Sequence, residues 1–198
     1  MKKSALMFVV AVFVMSFGVC ALAEESTYSE KTAAGKPSVT KEETVTAMAT
    51  VTAIDLKNRL VTLEDEDGNT FDILVGEEAR NLPQLKVGDV VEATYYESVA
   101  VKVYKPGEVP SVAGDTSMVA GAKKGEKPGG LAVKQATVTA TVQSIDKKSQ
   151  TAVLKRADGK IVTVKVKDPK NLENVNPGDE VVATYTRALA ISVTKPEE

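Results

Sequence analysis

The segment Val87-Gly88-Asp89-Val90-Val91-Glu92-Ala93-Thr94-Tyr95 recurs ninety residues later as Pro177-Gly178-Asp179-Glu180-Val181-Val182-Ala183-Thr184-Tyr185. In each copy a Gly-Asp turn leads into alternating apolar and polar residues, which is the pattern of a half-buried β-strand. The recurrence indicates that one small β-unit occurs twice in this chain. It predicts an architecture, and it contains no pattern that points to a reaction.

Both copies show the same succession of strand patterns and turns. The first strand of each copy changes parity at Ile54 or Ile145, which predicts a bend or bulge near its end. Asp67-Gly68 and Asp158-Gly159 are tight-hairpin signals between the second and third strands. The predicted inward residues of the third strand are Phe71, Ile73 and Val75 in the first copy, and Val162, Val164 and Val166 in the second.

The fourth and fifth strands are predicted to be separated by a polar turn, at Glu97-Ser98 in the first copy and at Arg187-Ala188 in the second. Five short strands with a connector between the third and fourth are the outline of an OB-type barrel, and an SH3-like meander is the alternative. The predicted fold is all-β, with two tandem five-stranded OB-like small barrels joined by a flexible Gly/Pro linker. The barrels span residues 44–105 and 136–196.

Residues 1–23 have the features of a secretory signal peptide. Two lysines precede an apolar core at residues 5–17, and Ala21-Leu22-Ala23 is a cleavage signal of the A-x-A type. An uncleaved N-terminal anchor is the alternative. Cleavage after Ala23 removes Cys20, the one cysteine, and predicts a periplasmic or secreted bacterial protein with no disulfide and no remaining membrane span.

Two further segments are predicted to lack regular structure. Residues 24–43 are polar and contain almost no large apolar side chain, so that burial offsets little of the entropy of ordering, and we expect disorder. Residues 106–135 contain six glycines and three prolines, a composition typical of a flexible linker. Within that linker only residues 116–122 have a composition that permits a short helix.

The composition argues against several classes of function. Without the two leader lysines the chain carries 27 acidic and 23 basic residues, and it contains no histidine and no tryptophan. That charge predicts no attraction to nucleic acid, for which OB barrels use a basic groove and aromatic platforms. Hydroxyl nucleophiles would lack a histidine base, so we expect no enzyme activity.

The acidic turn Asp65–Asn69 is the strongest candidate for a metal site. Oxygen-bearing side chains at alternate positions of this turn match the start of a calcium loop. The match then fails, because Thr70 occupies the position of the invariant glycine and Gly76 that of the bidentate glutamate. A solvated hairpin turn is the favoured interpretation, and the sequence predicts no metal site and no cofactor.

Two tyrosines are candidates for an interaction surface. Tyr96 and Tyr104 have the parity opposite to that of the inward residues Tyr95 and Val103, so we expect both rings to face outward. Exposed aromatic rings are common at protein interfaces. The favoured interpretation is that both are ordinary strand residues that cover the barrel.

The duplicated unit resembles a known group of proteins. The residues that carry the resemblance are Ala49–Asp55, Lys86–Asp89 and Ala93–Val101, with their counterparts Ala140–Asp146, Asn176–Asp179 and Ala183–Ile191. They are similar to uncharacterised bacterial exported proteins built from tandem OB-like repeats. A more distant similarity is to the small OB-type barrel of the periplasmic copper chaperone of Cus-type efflux systems. That family binds copper through His, Met and Trp, and since this chain has no His or Trp, copper binding is not implied.

These observations predict a non-enzymatic periplasmic binding or protein-interaction module of unknown specificity. The alternative is a small-ligand or divalent metal-ion carrier of the cell envelope that uses the barrel mouth or the Asp65–Asn69 turn. The expected partners are other envelope proteins rather than nucleic acid.

Overall fold

The computed structural model describes residues 22–32, 35–77, 79–111 and 114–196. The predicted signal peptide lies outside the described residues, apart from its last two positions. The prediction of an all-β fold is confirmed, and two short 3₁₀ turns, Leu82–Gln84 and Pro169–Leu172, interrupt the strands. The strands are β1 (Leu22–Lys31), β2 (Pro37–Asp55), β3 (Leu60–Asp65), β4 (Thr70–Leu74), β5 (Val90–Tyr104), β6 (Thr116–Gly121), β7 (Gly130–Asp146), β8 (Thr151–Arg156), β9 (Ile161–Lys165) and β10 (Glu180–Thr194).

The strands form one antiparallel sheet in the order β4-β3-β2-β5-β10-β7-β8-β9. β1 adds to β2 beside β3, and β6 adds to β7 beside β8. The sheet does not close on itself, so the two predicted barrels are not confirmed. In the described ranges no helix is long and apolar enough to cross a membrane.

The local turn chemistry matches the sequence. β2 has a register shift between Val51 and Ala53, and β7 has one between Val142 and Ser144, which confirms the predicted bends. Gly68 and Gly159 have φ values of 81° and 83° at the tips of the β3–β4 and β8–β9 hairpins. These left-handed conformations are open to glycine at little cost, so the Asp-Gly pairs form the predicted hairpins.

The predicted turns between the fourth and fifth strands are wrong. β5 runs unbroken through Glu97-Ser98, and β10 runs unbroken through Arg187-Ala188. Neither pair contains the Gly, Asn, Asp or Pro that tight turns favour. Each strand is instead held straight by the other, because β5 and β10 pair over fifteen residues from Val90–Thr194 to Tyr104–Glu180.

The long central strands give each half of the chain a share in the core of the other half. The first core contains Val51 and Leu63 of the first half, and Val193 from the end of β10 packs against it. The second core contains Val142 of the second half together with Val103 from the end of β5. The two halves are therefore interlocked rather than joined only by a linker.

The segments predicted to be disordered or flexible contribute strands. Residues 24–31 lie in β1 and residues 37–43 lie in β2, while residues 116–121 form β6, not a helix. A polar composition indicates that a segment buries little apolar surface. It does not predict backbone hydrogen bonds, and these form here because β2 and β7 are long enough to pair with a further strand.

Two ion pairs link the halves reciprocally, and one of them, Lys36 with Asp179, is buried on both sides. The Lys36 ammonium lies 2.6 Å from Asp179 Oδ2, and Lys127 binds Asp89 Oδ2. Both aspartates belong to the recurring Gly-Asp turns and are almost fully buried. Each also accepts a backbone hydrogen bond of 2.8 Å within its own turn, from the amide of Lys86 or of Asn176. The aspartate of each Gly-Asp turn thus binds a lysine that precedes the first long strand of the other half.

Replacing Lys36 with methionine tests this link. The change leaves the Asp179 carboxylate buried without its counter-charge, and breaking a buried pair costs about 3 kcal/mol. We expect urea denaturation to show a loss of stability of about that size. Lys41→Met is the matched control, because its ion pair with Glu25 is exposed and contributes about 0.5 kcal/mol. Equal effects of the two changes would contradict the proposed role of Lys36.

Cutting the connection between the halves tests the interlock. A specific protease site inserted between the exposed residues Pro110 and Ser111 lies outside every strand. Because the β5–β10 ladder and both ion pairs join the halves, we expect the cleaved pieces to elute together in size-exclusion chromatography. They should separate only in denaturant. Two independently folded pieces that separate in native buffer would show that the halves are autonomous domains.

Candidate functional site

A row of four charged residues crosses the centre of the sheet. Glu43 on β2 is paired with Glu97 on β5, Glu97 with Arg187 on β10, and Arg187 with Lys134 on β7. Directly paired residues in an antiparallel sheet project from the same face. The four side chains, which we call the central charge row, therefore run acid, acid, base, base across one face.

Two tyrosines stand beside this row on the same face. Tyr95 precedes Glu97 by two residues in β5, and its hydroxyl donates a hydrogen bond of 2.8 Å to Glu97 Oε2. Tyr185 precedes Arg187 in the same way, and the Arg187 guanidinium carbon lies 6.0 Å from the centre of the Tyr185 ring. That distance is at the outer limit of a cation–π contact. The tyrosines thus engage the two inner members of the central charge row.

Burial and the Glu97 carboxylate change the acidity of both phenols. Burial of Tyr95 raises its pKa well above the ordinary value of 10.0, and the hydrogen bond and negative charge of Glu97 raise it further. Burial also raises the pKa of Tyr185, and Glu97 adds to the effect while Arg187 opposes it. Both phenols therefore stay protonated, and Tyr95 stays a donor to Glu97, at any physiological pH.

The basic half of the central charge row is unusual for a structural pair. Lys134 and Arg187 are directly opposite each other and half-buried, and like charges so placed destabilise a sheet. No carboxylate among the described residues lies within 4.0 Å of either cation. Among the described residues neither cation forms an ion pair, which favours the binding of an anionic group.

A shallow groove lies beside these two cations. It has a volume of about 360 Å³ and lies across β6, β7 and β10. Hydroxyl groups, which donate hydrogen bonds to anions, and one acid are also part of its lining, together with Gln135 and Ala136. The lining includes Lys134, Arg187, Tyr185, Thr116, Ser117 and Asp115. We call this feature the central groove.

A second cavity, of about 430 Å³, lies at the turn between β6 and β7 and has no comparable free charge. Lys127 lines it, but its ammonium is bound to Asp89. Glu126 also lines it, and its carboxylate accepts a hydrogen bond from the Lys123 amide. Both charged groups of this cavity therefore already bind other residues of the protein.

The structure places Tyr96 and Tyr104 on the face opposite to the central charge row. Both are half-buried, and the Tyr96 hydroxyl donates a 3.0 Å hydrogen bond to Glu42 Oε1. Eight residues of extended strand separate the two rings by roughly 26 Å. The structure therefore does not bring them together, and their role as an interaction surface stays a prediction.

The acidic turn is organised around the carboxylate of Asp65. Asp65 Oδ1 accepts hydrogen bonds from the amides of Asp67 and Asn69, at 3.0 and 2.8 Å. The side-chain hydrogen bond from Asn69 is the main cause of the lowered pKa of Asp65. In the part of the chain that the structure describes, no three acidic residues converge to hold a metal ion. The Asp65 carboxylate therefore stabilises the hairpin turn.

The sequence interpretation did not single out Glu43, Lys134 or Arg187 as site residues. One usable signal was present, because Glu97 and Arg187 occupy equivalent positions of the two copies with opposite charge. That signal was assigned to a turn, since the pairing of β5 with β10 is not visible in the sequence.

Comparisons with known proteins add no functional information. No protein-family model matches the chain, and no curated protein is significantly similar to it. The resemblance to exported proteins with tandem repeats therefore stays a prediction.

The raised pKa values make a testable prediction. In the unfolded chain a tyrosine has a pKa near 10.0, and the folded values of Tyr95 and Tyr185 lie higher. The contribution of these two phenols to the free energy of unfolding should therefore be fully present below pH 10. It should be lost as the pH rises towards their folded pKa values. Glu97→Gln should lower the pH at which these phenols ionise, measured by tyrosinate absorbance.

Glu92→Gln is the control for this titration, because Glu92 is an exposed residue on the other face of β5. It should leave the titration unchanged. A Glu97→Gln titration identical to that of the unmodified protein would contradict the contact between Glu97 and Tyr95.

Proposed function

We propose that this chain is a non-enzymatic binding module of the bacterial cell envelope that holds an acidic segment of a partner protein in the central groove. The observation that carries the proposal is the half-buried, directly opposed pair Lys134 and Arg187, which has no carboxylate within 4.0 Å among the described residues. A carboxylate placed between these cations would offset their mutual repulsion. The signal-peptide pattern of residues 1–23 supports the envelope location.

The chemistry of the groove suits a carboxylate. Arg187 presents a planar guanidinium that matches a carboxylate with two parallel hydrogen bonds, and Lys134 supplies a second positive charge. Ser117 of β6, which is paired with Lys134, brings a hydroxyl donor to the same face. Hydrogen bonds to charged groups contribute about 1.5–3 kcal/mol each, so a few such contacts suffice for weak, specific docking.

A protein segment suits the groove better than a small free anion. The groove is shallow and open, so that a small anion would keep much of its contact with water. All six residues of β6 are exposed, and in the described residues this strand pairs only with β7. An extended segment can therefore add backbone hydrogen bonds along β6 while one of its acids reaches the cations.

We also infer that the two halves arose by duplication of one OB-like unit. The bulges at Val51/Ala53 and Val142/Ser144 are 91 residues apart, as are the ion-pairing residues Lys36 and Lys127. These coincidences support a common origin. The chain has no histidine, which supports binding rather than catalysis as the role of the duplicated unit.

Binding of a model acidic segment tests the proposed function. The probe is a fluorescein-labelled peptide of alternating Glu and Thr residues, followed by anisotropy at low ionic strength. Lys134→Met and Arg187→Met should each weaken binding by about tenfold or more, equivalent to losing about 1.4 kcal/mol. Raising the salt concentration should weaken binding by the unmodified protein.

Lys160→Met is the matched control, because Lys160 lies outside the groove and its side chain is largely exposed. It should bind the peptide as the unmodified protein does. Equal loss of binding in all three variants would indicate attraction to general positive charge and would overturn the proposal. Competition by millimolar inorganic phosphate as effective as competition by the unlabelled peptide would identify a small-anion site instead.

A further inference from the structure

The two ends of the sheet are free edges of opposite character. Within the described residues β4 pairs only with β3, and β9 pairs only with β8. The most exposed apolar residue on each edge lies at one end of its strand: Leu74 is 70% exposed and Ile161 is 66% exposed. An edge strand that carries an exposed apolar side chain favours addition of another strand.

The β9 edge is also less well covered than the sequence predicts. Val162 and Val164 were expected inside the second unit, and the structure leaves both exposed. Their counterparts Phe71 and Ile73 in β4 pack against the first core. The smaller valine side chains of β9 do not reach the second core in the same way, so the inner face of this edge stays open.

We propose that β4 of one molecule pairs antiparallel with β9 of a second copy of this chain, so that the sheet continues from molecule to molecule. Full overlap of the two five-residue strands puts Leu74 opposite Ile161, Ile73 opposite Val162 and Phe71 opposite Val164. Asp72 then faces Thr163, and Thr70 faces Lys165. Apolar residues meet at three of the five positions, and no like charges meet.

Pairing of each edge with its own kind is less favourable. Full overlap of two β4 strands puts Asp72 opposite Asp72 at the centre. Full overlap of two β9 strands puts Ile161 opposite Lys165 at both ends, so that an apolar side chain meets a charged one twice. Like charges directly opposite each other disfavour β4 with β4, and the loss of apolar contacts disfavours β9 with β9, so the mixed pairing is the most favourable.

The surroundings of the two edges reinforce this selection. The hairpin that ends in β4 carries Glu64, Glu66 and Asp67 next to Thr70, and β9 is bracketed by Lys160 and Lys167. In the mixed pairing Lys165 lies at the acidic end of β4 and diagonal to Asp72. Lysines on an edge strand normally prevent strand addition. Here the lysines match the acidic edge of another molecule.

The geometry of this contact determines the kind of assembly. The two surfaces differ, so each molecule keeps one free β4 edge and one free β9 edge after pairing. Assembly should therefore continue beyond the dimer into a series of larger species. It uses residues outside the central groove, so its failure would leave the proposed binding function untouched.

Analytical ultracentrifugation of the purified protein over a range of concentrations tests the proposal. We expect dimers, trimers and larger species that grow with concentration and decline at high salt. Lys165→Glu and Asp72→Lys should each weaken association about fivefold, as expected for the loss of one cross-strand charge contact. Combining Asp72→Lys with Lys165→Glu should restore much of the association, because the charges are then exchanged rather than lost.

Val119→Lys is the control, because Val119 is 78% exposed on β6, outside both edges, while Ile161→Lys puts the same change in the proposed contact. Ile161→Lys should reduce association, and Val119→Lys should not. A monomer at every concentration, an assembly that stops at the dimer, or an assembly abolished by Val119→Lys would each overturn the proposal. Circular dichroism of every variant shows whether a loss of association reflects unfolding.

Discussion

The antiparallel ladder between β5 and β10 is the contact on which the rest of this structure depends. Its fifteen residue pairs hold both strands straight through positions that could otherwise bend. Because the strands continue, Val103 reaches the second core and Val193 reaches the first. Each hydrophobic core therefore includes a strand end from the other half, so that the two halves are interlocked.

The two ion pairs also connect the halves, through charge rather than through strand pairing. Removing an ammonium and a carboxylate from water costs several kcal/mol each, which their attraction only partly repays. Lys36–Asp179 and Lys127–Asp89 are therefore weak sources of net stability. Instead they favour one arrangement of the two halves over others, because any arrangement that separates the halves leaves each aspartate without its lysine. They hold the Gly-Asp turn of each half at one position against the other half.

The proposed duplication accounts for the charges at the centre of the sheet. Glu97 and Arg187 occupy equivalent positions in the two copies, and the ladder places them opposite each other. Two identical copies would meet there with like charges, whereas divergence of the copies produces a pair of opposite sign. The same divergence leaves Lys134 and Arg187 as adjacent cations and Glu43 and Glu97 as adjacent acids. The site therefore arises from residues in which the copies differ, while the residues that they share form turns and core.

Several local features were predictable because nearby residues determine them. The Asp-Gly hairpins depend on two consecutive residues, and the bulges just before Ile54 and Ile145 depend on a change of parity within one strand. The central groove was not predictable in this way. Its cations, Lys134 and Arg187, are 53 positions apart in sequence and come together only through the register of β7 with β10. The two ion-paired lysines were likewise not predicted, although Lys36-Pro37 and Lys127-Pro128 recur 91 residues apart.

By itself the sequence determined the all-β class, the strand patterns of each unit, the hairpins and the bulges, because alternation and turn residues act over a few positions. Only the tertiary structure decided that Glu97 and Arg187 lie within continuous strands and that the polar segments 24–31 and 116–121 are strands too. The reason is physical: a backbone hydrogen bond can be satisfied by any strand of the right register. A partner distant in sequence can therefore order a segment whose own side chains bury little.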